Sequence, residues 1–222
     1  MRRAILLAAP FVVLALAAPA WAQARAAAPK PKQQIGFRAY MTFDWQQMAA
    51  TNTFKALFDS SSFNGFGAGG EVIGLGGGLF ARVSFAHMTR TGSRAFVQGG
   101  EVVSSGVPYT VALTPIDLAG GWRAQTLGGG RYTPYLGGGL VVMRYSETST
   151  PAGSADSSGS YKGYEFFGGL DVSVWKKWLS LGVEAQYRGV PNALGTANSV
   201  SASYSETDLG GATVRVTVGF RK

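Results

Sequence analysis

The sequence predicts an all-β protein that folds as a membrane-spanning, eight-stranded antiparallel up-and-down β-barrel. Three observations lead to this prediction. Eight segments alternate apolar and polar residues with a period of two, which is typical of β-strands with two different faces. The connections between these segments are alternately short and long, as in bacterial outer-membrane barrels, where the short turns are periplasmic. Beyond the N-terminal region no apolar run reaches about 18 residues, so transmembrane helices are not expected.

The first 22 residues have the features of a secretory signal peptide. Two arginines precede an uncharged run at residues 4–18, and Ala20-Trp21-Ala22 supplies the small-x-small pattern of a cleavage site after Ala22. The apolar run is too short for a transmembrane helix, which needs about 20 residues. We therefore expect export, followed by a disordered periplasmic leader at residues 23–34 and one transmembrane β-barrel at residues 35–222.

Composition excludes several kinds of site. The chain has no cysteine, which excludes disulfides, thiolate metal sites and a cysteine nucleophile. It has one histidine, His87, so a metal site made of several histidines is excluded as well. The formal net charge is +8, but the basic residues are scattered and the chain is expected to be exported, so nucleic acid is not an expected partner. We expect no metal and no cofactor.

The first four strands are predicted at residues 35–45, 66–73, 79–87 and 116–124. The first has apolar residues at every second position from Ile35 to Trp45, and its length matches a tilted membrane-crossing strand of about 9–11 residues. The next three alternate in the same way, with Glu71, Arg82 and Asp117 among the residues on their polar faces.

The last four strands are predicted at residues 133–145, 164–174, 179–188 and 212–220. The fifth is the least regular, because Leu140 and Val142 share a face with Arg144. The eighth alternates from Ala212 to Phe220, with Arg215 on its polar face. An unpaired strand edge in hydrocarbon would leave backbone groups without hydrogen bonds, so we expect the eighth strand to pair with the first.

Two of the long connections contain segments whose residue patterns predict secondary structure. Residues 52–58 have the spacing of a short amphipathic helix, which we expect near the membrane surface. Residues 94–97 and 109–113 are apolar enough to extend the third and fourth strands above the bilayer.

Charged residues on the polar faces are predicted to fill the lumen. An eight-stranded barrel leaves an interior just wide enough for side chains. Buried charges are costly unless they are paired and hydrogen-bonded, so we expect Arg–carboxylate pairs across the lumen. The predicted network has six cations and six anions: Arg38, Arg82, Arg123, Arg144, Arg188 and Arg215 with Asp44, Glu71, Asp117, Glu165, Asp171 and Glu184.

Aromatic residues fall near both ends of the predicted strands. Such side chains form interfacial girdles at the two edges of a bilayer. The predicted girdle residues are Trp45, Tyr145 and Tyr187 near the long loops, and Trp175, Trp178 and Phe220 near the short turns.

With these features the chain resembles the small eight-stranded outer-membrane barrels of the OmpA/OmpX kind, over about Ile35 to Phe220. The alternating last strand that ends in the aromatic Phe220 resembles the C-terminal signal of that family, although Arg221 and Lys222 follow here. The resemblance implies a monomer in the outer membrane of a Gram-negative bacterium, among its lipids and lipopolysaccharide. It also implies that the barrel-insertion machinery reads the last strand.

The sequence leaves three functions open. The first is a structural or surface-interaction role without a catalytic site, and this is the function we expect. The second is a narrow, porin-like pore or transporter for small or apolar solutes. The third is lipid modification: His87-Met-Thr89 resembles the His-x-Ser of outer-membrane lipid A deacylases, but no carboxylate lies at an orienting spacing.

Overall fold

The computed structural model describes residues 35–124, 131–149, 157–175 and 178–221, which form a closed antiparallel barrel of eight strands. Each strand pairs with its neighbours along the chain, and the first pairs with the last from Arg38 opposite Arg221 to Met48 opposite Gly211. The predicted fold class is confirmed. The predicted signal peptide and leader lie outside the described residues.

All eight predicted strands are present. They are β1 Gly36–Met48, β2 Ser62–Ile73, β3 Leu79–Gln98, β4 Glu101–Arg123, β5 Tyr132–Ser149, β6 Ser158–Trp175, β7 Leu179–Gly189 and β8 Gly211–Arg221. A short helix α1, Thr51–Phe58, follows β1, and a single turn α2, Val200–Ser203, precedes β8. Neither helix of the described part of the chain has the length and apolar content to cross a membrane. Below, the turn end of the barrel is the end where β2 meets β3, and the loop end is the opposite one.

The connection between β3 and β4 is a long β-hairpin. The two strands continue to a two-residue turn at Gly99 and Gly100, whose φ angles are 62° and 88°. Positive φ at both central residues matches the twist of a tight hairpin, and glycine adopts it without steric cost. The prediction that residues 94–97 and 109–113 extend these strands is confirmed.

The outward face of the barrel is apolar over most of its height. Large apolar side chains on it are widely exposed, among them Met41 at 67% and Phe66 at 73%. Soluble monomers rarely expose contiguous apolar patches above a few hundred Å². An apolar outer band with a polar interior is the pattern of a barrel that sits in lipid.

This polarity reverses towards the loop end. Along β3 the outward Val83 and Phe85 are followed by His87 and Thr89, while the inward Arg82 is followed at the loop end by the buried Met88. The strand keeps its period of two, but His87 and Thr89 place polar groups on the outward face and Met88 places an apolar one on the inward face; the partly buried Arg90 is the exception. The outward face is therefore suited to lipid below this point and to water above it.

The same reversal occurs on the next two strands. On β4 the outward Ile116 gives way to Thr114, and on β5 the outward Val142 gives way to Arg144. We call the line through His87, Thr114 and Arg144 the polarity boundary.

Above the boundary the lumen holds an apolar core, the upper cluster. Its buried residues are Met48, Ala50, Phe54, Phe58, Phe63, Met88, Tyr109, Val111, Leu113, Val141, Met143, Val190, Ala193 and Leu209. Helix α1 contributes Phe54 and Phe58, whose rings pack against Phe63 at centroid distances of 5.3 and 5.7 Å. The predicted helix is thus present, and its apolar face packs against the upper cluster in the barrel mouth.

Candidate functional site

The lumen below the polarity boundary is crossed by ion pairs. The structure brings together eleven of the twelve predicted lumen residues, each within 4 Å of an opposite charge: Arg38, Arg82, Arg123, Arg188 and Arg215 with Asp44, Glu71, Asp117, Glu165, Asp171 and Glu184. Alternation brings them here, because each lies at an inward position of its strand.

The group nearest the turn end has two arginines and two carboxylates. Arg123 donates to Asp171 at 2.6 Å and to Glu71 at 2.7 Å. Arg38 donates to Asp171 at 3.0 Å and lies 3.4 Å from Glu71. Each carboxylate is therefore shared by two guanidinium groups, which balances the charges locally.

The middle group is centred on Arg82. Its guanidinium donates twice to Glu184, at 2.5 and 3.2 Å, and lies over the ring of Phe167 at 3.4 Å from the centroid. The lumen also needs space for rings here. A Cβ at Gly69 would collide with the ring of Tyr40, so glycine at this inward position accommodates the aromatic side chain.

The group nearest the polarity boundary is the most deeply buried. Arg215 forms a bidentate pair with Asp44, with distances of 2.9 and 2.8 Å, and Arg188 donates to Asp117 at 2.9 Å. Asp44, Arg188 and Arg215 each have 0% exposure. A water-filled path beside them would expose part of their surface, so the lumen is filled at this level.

Arg144 does not belong to the network. It lies on the outward face of β5 and is exposed, so the prediction that it faces the lumen is wrong. Its own strand had placed it beside Leu140 and Val142, and both of these also face outward. A charge can occupy this face because Arg144 lies at the polarity boundary, where the cost of a cation is small.

Without Arg144 the predicted charge balance is also wrong. The described network has five arginines and six carboxylates. Glu165 has the longest ion-pair distances, 3.5 Å to Arg82 and 4.0 Å to Arg188. Its Oε1 accepts no hydrogen bond from the described residues, while Gln186 donates to its Oε2. The surplus carboxylate is therefore Glu165.

The predicted girdle residues are found on the outward face, with one exception. Trp45, Trp175, Trp178, Tyr187 and Phe220 are exposed. Tyr145 faces inward, packs against the upper cluster and donates to Glu147, so its prediction as a residue of the membrane-interface girdle is wrong. Alternation on β5 explains this, because Tyr145 lies one position beyond the outward Arg144.

A groove lies on the outward face at the polarity boundary, and we call it the rim groove. It has a volume of about 460 Å³ and is lined by His87, Ala112, Thr114, Arg144, Tyr145, Ser146, Ser158, Gly159 and Ser160. The histidine lies 2.9 Å from a hydroxyl, but this hydroxyl belongs to Thr114 and not to the predicted Thr89. The groove is lined by no carboxylate among the described residues, so a base-orienting group is missing from it.

A second cavity, the loop pocket, lies among the connections at the loop end. It has a volume of about 260 Å³, and its lining includes Leu57, Tyr109, Tyr145, Glu147 and Leu194. The two tyrosine hydroxyls are 3.4 Å apart. Burial raises the pKa of Tyr109 well above its ordinary value, so the phenol stays neutral.

Helix α1 is held by a carboxylate from another connection. Glu206 accepts hydrogen bonds from the backbone N–H groups of Asn52 and Thr53, at 2.9 and 2.8 Å. Partial burial alone would raise the pKa of Glu206, but the backbone donors outweigh it and the pKa is lowered. The helix has no capping side chain of its own, so Glu206 supplies its cap. Among the described residues no three carboxylate or imidazole groups are arranged to bind a metal ion.

The fold is similar to that of solved outer-membrane barrels. The outer membrane protein OprG from Pseudomonas aeruginosa matches with a TM-score of 0.55 and 11% identity, over 86% of this chain and 97% of that chain. Ail, the attachment invasion locus protein of Yersinia pestis, in complex with the heparin analogue sucrose octasulfate, matches with a TM-score of 0.51 and 11% identity, over 85% of this chain and 99% of that chain. No protein-family model matches the sequence, and no curated protein matches it. At this identity the likeness shows the fold alone: that of a small eight-stranded outer-membrane barrel.

Proposed function

We propose that this protein is an outer-membrane barrel with a closed lumen and a structural or surface-interaction role. The observation that carries the proposal is that the lumen is blocked at two levels. Ion pairs cross it below the polarity boundary, and the upper cluster with α1 packs it above. Because the ion-pair network and the upper cluster both block the lumen, the loops and the outer wall are the surfaces on which a function can lie.

The outward face supports the membrane location. Its apolar band has exposed aromatic residues at both ends, with Trp178 stacked on Phe220 near the turn end at 5.8 Å. The proposed partners are the lipids and lipopolysaccharide of the outer membrane, and the insertion machinery, which would read β8. In a monomer the apolar band needs no protein partner, because lipid covers it.

The loop end is the proposed interaction surface. The β3–β4 hairpin extends past its neighbours, and loop regions on a rigid scaffold commonly carry binding functions. Attachment is the role that the name of Ail, the attachment invasion locus protein, states for that protein. For this chain, an attachment role is a proposal that rests on the exposed hairpin. We propose no catalytic step, because the rim groove lacks an orienting carboxylate among its described residues.

Single-channel conductance in planar bilayers tests the closed lumen. We expect silence from the wild-type protein and from Arg215→Ala, because the upper cluster still seals the mouth. Openings are expected when Arg215→Ala is combined with Phe54→Ala, which also weakens the upper seal. Lys55→Ala, an exposed change on the same helix, is the matched control and should stay silent. Steady conductance in the wild type would contradict a closed barrel and support the narrow-pore alternative.

A further inference from the structure

We propose that the outer wall of the barrel binds the phosphorylated sugar headgroup of lipopolysaccharide at the polarity boundary. The site consists of Arg144 and Lys162 with the hydroxyls of Thr114, Ser146 and Ser160, and we call it the rim site. The inference rests on the proposed outer-membrane location, and it assigns one partner of that location to particular residues.

Strand register brings these residues together. Thr114 pairs with Arg144 across β4 and β5, and Arg144 pairs with Ser160 across β5 and β6. Lys162 lies two residues from Ser160 on the same outward face, so it is the diagonal neighbour of Arg144. Diagonal neighbours of this kind are roughly 7–8 Å apart. A phosphate between the two cations can contact both of them.

Within the part of the chain that the structure describes, no acid competes for the two cations on their face. Both are exposed, and neither has a carboxylate within 4 Å among the described residues. The nearest acids along their strands, Glu147 and Glu165, point inward to the loop pocket and to the lumen network. Arginine can hold a phosphate through two parallel hydrogen bonds, and the surrounding hydroxyls can donate further ones.

The height of the rim site favours a lipid over a soluble anion. Val142 pairs directly with Lys162, and Leu140 pairs with Tyr164 one step towards the turn end, so an apolar wall begins immediately below the cations. A ligand that joins phosphate to acyl chains would contact both zones at once. Lysine and arginine at such a boundary direct their charged ends to the headgroup region while their stems stay on apolar surface. The rim groove, of about 460 Å³, lies beside Arg144 and gives room for a sugar.

Lipid binding to the purified full-length protein in detergent tests the rim site. The ligands are bisphosphorylated lipid A, the same lipid A without phosphates, and phosphatidylglycerol. For lipid A we expect the variant Arg144→Ala/Lys162→Ala to bind roughly tenfold or more weakly than wild type, since each cation near an anionic surface contributes to affinity. Lys55→Ala removes one positive charge from α1, away from the rim site, and should bind like wild type. Dephosphorylated lipid A should bind wild type and the double variant equally weakly.

Three results would overturn the proposal: unchanged lipid A affinity in the double variant, an equal loss in Lys55→Ala, or phosphatidylglycerol binding as tight as lipid A in the wild type. Both substituted side chains are exposed, and folding is checked by the heat-dependent shift in gel mobility. If the double variant does not fold, Arg144→Gln alone replaces it, with an expected loss of about threefold. Conductance is recorded separately. If the wild-type protein conducts but still binds lipid A through these cations, the proposal of a closed lumen is contradicted and the proposal of the rim site is retained.

Discussion

In the half of the lumen nearer the turn end, arginines and carboxylates cross the interior, whereas the half nearer the loop end is packed with methionine, leucine, valine and phenylalanine. The outer wall shows the opposite order, apolar beside the ionic half and polar beside the apolar half. In each half, therefore, one side of the barrel wall is polar and the other is apolar. The medium outside the barrel decides whether the polar side faces the lumen or the exterior. Where lipid covers the wall, the polar residues must face inward, and where water covers it, the lumen becomes an ordinary protein core.

The two halves should also fail in different ways. In the ionic half, removal of one partner leaves a buried charge without compensation, whereas removal of both partners is often tolerated. In the apolar half, truncation leaves a cavity whose cost depends on how far the surroundings can collapse. The ionic half lies within a closed wall of strands. The apolar half depends in part on α1, which belongs to the connection between β1 and β2 and could move away from the barrel with that connection.

The largest expected effect is on the ionic half. Arg215→Ala should lower the free energy of unfolding by about 3–5 kcal/mol, because Asp44 loses its bidentate partner where it has no exposed surface. Urea unfolding in lipid vesicles, followed by tryptophan fluorescence, measures this loss. Asp44→Asn combined with Arg215→Gln should recover part of it.

The control for this loss is Arg131→Ala, which removes an arginine that is exposed near the turn end. It should change the free energy of unfolding by less than about 0.5 kcal/mol. A loss below about 1 kcal/mol for Arg215→Ala would mean that water reaches Asp44, and the two halves would then not differ as described.

A smaller effect is expected in the apolar half. Phe54→Ala should cost about 3 kcal/mol, at the low end for such truncations, because α1 can shift into the space. Hydrogen exchange should quicken in α1 and remain slow in β1 and β8. Leu57→Ala, on the half-buried side of the same helix, is the control with a smaller expected loss. Faster exchange along the whole of β1 would show that the two halves unfold together.

The ionic half could be predicted from the sequence because strict alternation assigns each charge to a face. Arg144 shows the limit of that reasoning. Its strand pattern placed it outward, but its charge suggested the lumen, and only the polarity boundary explains an outward cation there. The same error explains why the surplus carboxylate Glu165 was not predicted. With Arg144 counted in the lumen, the predicted network had equal numbers of cations and anions.

The apolar half could not be predicted as a unit. The amphipathic spacing of residues 52–58 indicated a helix, but not the surface on which it packs. That surface is assembled from Phe63, Leu113, Met143 and Leu209, which lie far apart along the chain and meet only when the barrel closes. The pairing of His87 with Thr114 depends in the same way on the register of β3 and β4, which turn geometry sets and alternation does not.

The smallest expected effect concerns what fastens α1 over the apolar half. Glu206 caps the helix, and because it is partly exposed its replacement by glutamine should cost less than about 1 kcal/mol. The pKa of Glu206 is lowered in the folded protein, so its contribution is present above its unfolded value near 4.5 and is lost as the pH falls through the folded value. Hydrogen exchange in α1, corrected for the intrinsic effect of pH, should therefore quicken below about pH 4.5 in the wild type.

Glu206→Gln should remove this pH dependence and show faster exchange in α1 already at neutral pH. Glu101→Gln, an exposed carboxylate at the tip of the β3–β4 hairpin, should leave it intact. If α1 remains protected at low pH in the wild type, then Phe54 and Phe58 hold the helix without its cap. The apolar half would in that case depend on packing alone, and the contrast with the ionic half would become sharper, because only the ionic half would respond to the loss of one charge.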